Sequence, residues 1–234
     1  MSKRILFIVK AIAHVLCLLP FFWLLQQYRS GALGLEPDPI NSITHFTGDW
    51  ALWILLATLA ITPLRRISTH LSWLVRLRRL IGLYAFFYAS LHLATYLFLF
   101  SGYDVAAVVQ GIREGRLSII FEKGLEVWPF IWDDILKRKF VQVGFFAWLL
   151  LLALALTSPA RIMRAMGGKL WQRLHRLIYV AAAAAVVHYW WMVKAGVLTP
   201  WKVTLLLVVL LTARIAFALR RDLSRAKQER RFAD

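Results

Sequence analysis

Apolar residues fall into six long runs along this chain, separated by polar and charged connections. The runs cover residues 5–25, 50–64, 80–100, 141–157, 176–193 and 203–219. Roughly 20 apolar residues rising about 1.5 Å each cross the hydrocarbon slab of a bilayer, so each run predicts a membrane-crossing helix. The fold class expected is therefore all-α, a polytopic membrane bundle of about six helices. The first run is too long for a signal peptide and carries no small-residue cleavage site, which predicts a retained helix. Residues 1–219 read as one transmembrane domain without an internal repeat, followed by a basic tail over 220–234.

The connections add detail. "LEPDPINS" (35–42) reads as a turn-rich loop, its prolines favouring extended geometry, and Thr47 or Asp49 is a candidate cap for the second helix. The longest connection, 101–140, ends in the amphipathic stretch "DDILKRKF" and predicts a short interfacial helix. Tryptophans such as Trp23, Trp128, Trp132, Trp190 and Trp201 gather near the run ends, as aromatic belts do.

Composition and charge sharpen the class. The chain has 234 residues, 60% of them hydrophobic, and a formal net charge of +17. Such a charge on a soluble protein would suggest nucleic acid. Here the basic residues are split among loops and form no single stripe, so a nucleic-acid partner is excluded. With the N-terminus in the cytoplasm, 19 of the 29 Lys and Arg fall in inner segments, whereas 9 of the 12 acids fall in outer ones. This positive-inside pattern predicts that both termini are cytoplasmic, with lipid as the solvent of the helices. The single cysteine, Cys17, can form no internal disulfide.

Candidate chemistry rests on histidine. Ionisable groups within a bilayer are costly and mark function by default. No acid occupies the middle of a run, and only Asp49 comes near an end, which counts against a proton-coupled transporter. His92 lies 13 residues above Arg79 and His188 lies 12 above Arg176, so the third and fifth runs carry imidazoles at one depth, about 18–20 Å up. Two opposed imidazoles are suitable axial ligands for a haem iron that passes electrons without binding oxygen. His175 is 13 residues before His188, about 140° away on an ideal helix, and faces Arg78 or Arg79 in level. It is a candidate for a further haem or cofactor contact, with Arg78 placed to meet a haem propionate or a phosphate. His14, in the first run, is a candidate partner for His175; His45 and His70 need no functional explanation.

The stretches "WQRLHRLIY", "VVHYWW", "RRLIGLYAFFYASLHL", "HFTGDWAL" and "TPLRR" together resemble the haem-binding membrane subunits of the bacterial methionine sulfoxide reductase system, the MsrQ type, within the ferric-reductase-like transmembrane superfamily. The resemblance covers residues 14–191. It implies a b-type cytochrome (haem b) of the bacterial inner membrane that takes electrons from the quinone pool. Their recipient would be a periplasmic, molybdenum-containing reductase that repairs oxidised methionines in envelope proteins. It also implies haem contacts at the positions of His92, His175 and His188, FMN as a further cofactor, and a match at His14 and His45. The segment 112–132 is longer than the family pattern. Two other readings remain open: a ferric-reductase-like carrier fed by a cytosolic flavin reductase, and a transporter with a histidine-lined path. The short tail lacks a Gly-rich phosphate turn and following strand, so no nicotinamide domain is expected on these residues.

Overall fold

The computed structural model describes residues 2–194, 196 and 198–231, and in its last helix all side chains except 222, 225–227 and 229–231. Among the described residues every regular element is helical: α1 Lys3–Arg29, α2 Pro39–Ile67, α3 Arg78–Thr95, α4 Val105–Arg113, α5 Ile119–Lys137, α6 Lys139–Leu156, α7 Ala160–Met166, α8 Gly168–Leu174, α9 Leu177–Met192 and α10 Pro200–Arg231. α1, α2, α3 with its π-helical extension to Phe100, α6 and α10 are long and apolar enough to cross a membrane. The remaining predicted run forms α9, whose 16 residues span only about 24 Å. The bundle is thus all-α and polytopic, as the hydrophobic runs predict.

Several boundaries differ from the prediction. α2 begins at Pro39, eleven residues before the run that predicted it, because Asp38 accepts from Asn41 N and proline suits the first helical position. Thr47 and Asp49 are therefore inside the helix and cap nothing. The Thr47 hydroxyl donates back to the Ile43 and Thr44 carbonyls. His175 and His188 do not share a helix: the chain breaks at His175 and Arg176, which separate α8 from α9. The predicted interfacial helix is two helices, α4 and α5, turned at Gly115 with φ +80°. α10 runs on through residue 219, where the tail was expected to begin; residues 232–234 lie outside the described residues.

Packing contacts arrange four helices in a ring. α2 packs on α3, α3 on α6, α6 on α9, and α9 back on α2, while α10 covers α2 and α9. Ring neighbours run antiparallel, so α3 and α9 stand diagonally opposite. Leu55, Leu56, Leu59, Ala85, Tyr88, Ala181 and Ala182 are buried at the centre with Leu207 and Leu210 of α10. α1 is peripheral and mostly exposed, as a helix facing lipid would be. One side chain fastens it. The Tyr88 hydroxyl donates to Cys17 O at 2.8 Å and accepts from Phe21 N at 3.0 Å. Those two backbone groups would ordinarily bond each other, so tyrosine is inserted into the α1 ladder beside Pro20.

Candidate metal centre

His92 on α3 and His188 on α9 face one another across the ring. Their ring centroids are 6.0 Å apart and their planes are inclined at 76°. Each ring is oriented by a backbone carbonyl on the neighbouring helix: His92 Nδ1 donates to Thr44 O at 2.9 Å, and His188 Nδ1 donates to Phe140 O at 2.7 Å. A carbonyl only accepts, so the proton is on Nδ1 in both rings, and Nε2 keeps its lone pair for a metal. One turn beyond each carbonyl a glycine backs the ring. A Cβ on Gly48 would lie 3.1 Å from His92 Nδ1, and one on Gly144 would lie 2.6 Å from His188 Nδ1. The helices come this close because no side chain intervenes.

The two halves are built alike. Phe140, Gly144 and His188 each follow Thr44, Gly48 and His92 by 96 residues. The expectation of no internal repeat is therefore corrected at the level of structure: α2–α3 and α6–α9 are one hairpin construction used twice, related by rotation about the bundle axis. The same offset of 96 also matches Ala51 with Ala147, Leu55 with Leu151, Leu56 with Leu152, Ala57 with Ala153, Pro63 with Pro159, Arg65 with Arg161, Ala85 with Ala181 and Ala89 with Ala185, so the repeat is visible in the sequence once that offset is known.

The spacing suits a six-coordinate iron. Two metal–imidazole bonds of about 2 Å and the radii of two five-membered rings set centroids roughly 6 Å apart. That agrees with the observed separation, while Ala181 and Ala182 of α9 are fully buried in the core. The residues present fit a group with two axial imidazoles. Among the described residues no cluster of three or more His, Cys, Asp or Glu could hold a bare metal ion.

The other candidates are placed as follows. His175, at the break between α8 and α9, stacks on Trp171 at 3.8 Å and donates from Nδ1 to Trp171 O at 3.1 Å. Burial holds its imidazole below the ordinary histidine range, and Arg78 and Arg79 act in the same direction. Its Nε2 is thus also a free lone pair, but it belongs to a different level from the His92–His188 pair. Arg78 opens α3 beside it. His14 pairs with the Tyr84 hydroxyl at 2.7 Å, on the α1 side of the bundle. Asp49, well inside α2, lies near the Tyr189 hydroxyl and His45. Sequence reading missed Gly48, Gly144 and the two carbonyl braces, although a glycine 44 residues before each of two histidines was there to be found. It also missed the role of Arg214 as a cation within the bundle.

Comparison with known proteins adds the following. The family described as ferric reductase like transmembrane component matches residues 47–186. A protein-methionine-sulfoxide reductase heme-binding subunit MsrQ of Herminiimonas arsenicoxydans is 42% identical over 175 residues, covering 75% of this chain and 68% of its own. The subunit of the same name from Xanthomonas axonopodis pv. citri is 42% identical over 212 residues, covering 88% and 85%. That from Rhodospirillum rubrum is 40% identical over 207 residues, covering 88% and 87%.

Proposed function

The chain belongs to the ferric reductase like transmembrane family and, within it, to the MsrQ group, and from that premise we propose that it is a b-type cytochrome of the bacterial inner membrane, passing electrons to a periplasmic methionine sulfoxide reductase catalytic subunit. The observation that carries this reading is the His92–His188 pair at 6.0 Å, each ring with Nδ1 tied to a carbonyl and Nε2 free. Haem b, when bound, supplies a one-electron iron couple. The protein's own part is to hold and orient. Thr44 O and Phe140 O fix the tautomers, Gly48 and Gly144 allow the rings to sit between close-packed helices, and His92 and His188 would hold the haem iron through Nε2. The positive-inside charge pattern sets the basic end toward the cytoplasm and the end carrying α4 and α5 toward the periplasmic, molybdenum-containing partner.

The donor is the quinone pool. The pair lies within the membrane, where a lipid-soluble hydroquinone reaches it, and Asp49, beside Tyr189 and His45, supplies a group able to take a proton there. A flavin donor, FMN or a cytosolic flavin reductase, is the second reading. It is favoured by the one observation of His175 with Arg78 and Arg79 nearby at the basic end, where such a group would meet imidazole and guanidinium.

The experiment is a reduced-minus-oxidised visible spectrum, with haem and flavin counted per chain, on the purified protein and its variants. His92→Ala and His188→Ala are expected to abolish the low-spin haem bands, whereas His175→Ala is expected to retain them in part. Full haem retention in both of the first two variants would sink the assignment. A colourless wild-type preparation from haem-replete cells would favour the histidine-lined transporter instead.

A further inference from the structure

Arg214 lies in the apolar part of α10, and its guanidinium is the most demanding group inside the bundle. Nη1 donates to the Tyr179 hydroxyl, and Nη2 donates to Leu59 O at 2.6 Å. The guanidinium carbon is 5.0 Å from the Tyr179 ring centroid. Nε is buried without a partner, alone in this among side-chain atoms of the described residues. Arg66 of α2 and Arg78 of α3 are near enough to act on it electrostatically, and Arg66 also sits over Phe217, 5.6 Å from the ring centroid and about a turn below Arg214 on α10. Among the described residues no carboxylate pairs with any of the three arginines.

A hydroxyl and a carbonyl offer dipoles. They orient a guanidinium but leave its charge uncancelled, and two further cations nearby add repulsion in a medium that screens poorly. A buried N–H without an acceptor demands a partner. One group answers both demands: an oxyanion that accepts from Nε and neutralises the cluster. The planar guanidinium fork and the neighbouring arginines favour phosphate, whose several oxygens can accept from more than one of them. The location fits such a ligand. Tyr179 precedes His188 by nine residues on α9, so the cluster lies about 13 Å nearer the basic end than the imidazole pair. That end faces a leaflet whose acidic lipids gather around basic segments.

We propose that Arg214, with Arg66 and Arg78, forms a phosphate-binding site at the basic end of the bundle, between α2, α3, α9 and α10. Its ligand is the headgroup phosphate of an acidic phospholipid or a soluble phosphate of the same chemistry. The site lies apart from the His92–His188 pair and shares Arg78 with the flavin reading above, so anion response and haem content are read separately.

The test uses the full chain, purified with its haem, in phosphatidylcholine nanodiscs. Its thermal midpoint is measured after part of the lipid is replaced by phosphatidylglycerol, and separately after inorganic phosphate replaces chloride at constant ionic strength. A rise with phosphatidylglycerol alone identifies a lipid headgroup, and a rise with inorganic phosphate identifies a soluble source; either supports the site. Arg214→Gln is expected to lose the rise and Arg214→Lys to keep a reduced one, with haem per chain unchanged. If Arg214→Gln does not fold, Arg66→Gln serves in its place and is expected to halve the rise or more. The proposal is overturned if neither addition moves the wild-type midpoint, or if the arginine variants respond as the wild type does. It is also overturned if Arg214→Gln loses haem while keeping the anion response, since the guanidinium would then serve the haem carboxylates.

Discussion

The smallest side chains at the metal centre set its sharpest constraint. An exposed mid-helix Gly→Ala change ordinarily stabilises by up to about 1 kcal/mol through backbone entropy. At Gly144 the new methyl would lie 2.6 Å from His188 Nδ1, on a ring pinned by Phe140 O, and that collision outweighs the propensity gain. Gly144→Ala is expected to lose more than about half of the bound haem, by pyridine haemochrome assay per chain, at little cost in helix content. Gly48→Ala, whose methyl would meet His92 at 3.1 Å, is expected to lose less. Equal haem in wild type and both variants would show that the rings are not held by these glycines. The histidines were legible in the sequence because polar groups stand out in apolar runs. Their braces were not, because a backbone carbonyl has no sequence signature and a glycine in a helix has many uses.

Among the elements, α9 follows the run 176–193 to within a residue at either end, but it does not extend back to His175. The 140° offset between His175 and His188 assumed one continuous helix, and the structure instead ends α8 at Leu174 and starts α9 at Leu177. No proline or glycine marks the break, since His175 and Arg176 make the turn, so periodicity alone could not find it. α2 failed in the opposite direction. Its first eleven residues are polar enough to read as a loop, yet they carry both Thr44 and Gly48. α1 depends on Tyr88, whose hydroxyl bridges Cys17 O and Phe21 N. Tyr88→Phe leaves that pair to close its own bond or stay unsatisfied. The expected loss is about 1 kcal/mol, read as a lower unfolding midpoint of the detergent-purified protein. An unchanged midpoint would mean that the bridge only fills space.

For the whole molecule, charge distribution carries the expectation of sidedness, since positive-inside counting uses numbers rather than contacts. It makes a direct prediction. Cysteines placed at Ser101 and at the exposed Ala165, in a Cys17→Ser background, should behave oppositely in intact cells: only the first is expected to react with a membrane-impermeant maleimide. Reaction of Ala165→Cys instead would invert the topology. The ring order of α2, α3, α6 and α9 was not legible, because antiparallel neighbours joined by long connections can close in several ways. Its closure explains how two spans that are not sequence neighbours present their imidazoles to each other.

The tilt between those imidazoles also bears on electronic structure. With haem iron held between them, each ring's p orbital would interact with one member of the pair of iron d orbitals lying across the haem plane. Parallel rings would both act on the same member and split the pair widely, whereas rings kept at 76° would act on different members and leave the two nearly equal in energy. The oxidised protein should then give a strongly anisotropic low-spin paramagnetic resonance, with a single large g value dominating. A rhombic spectrum would mean that the rings rotate toward each other when the iron is in place.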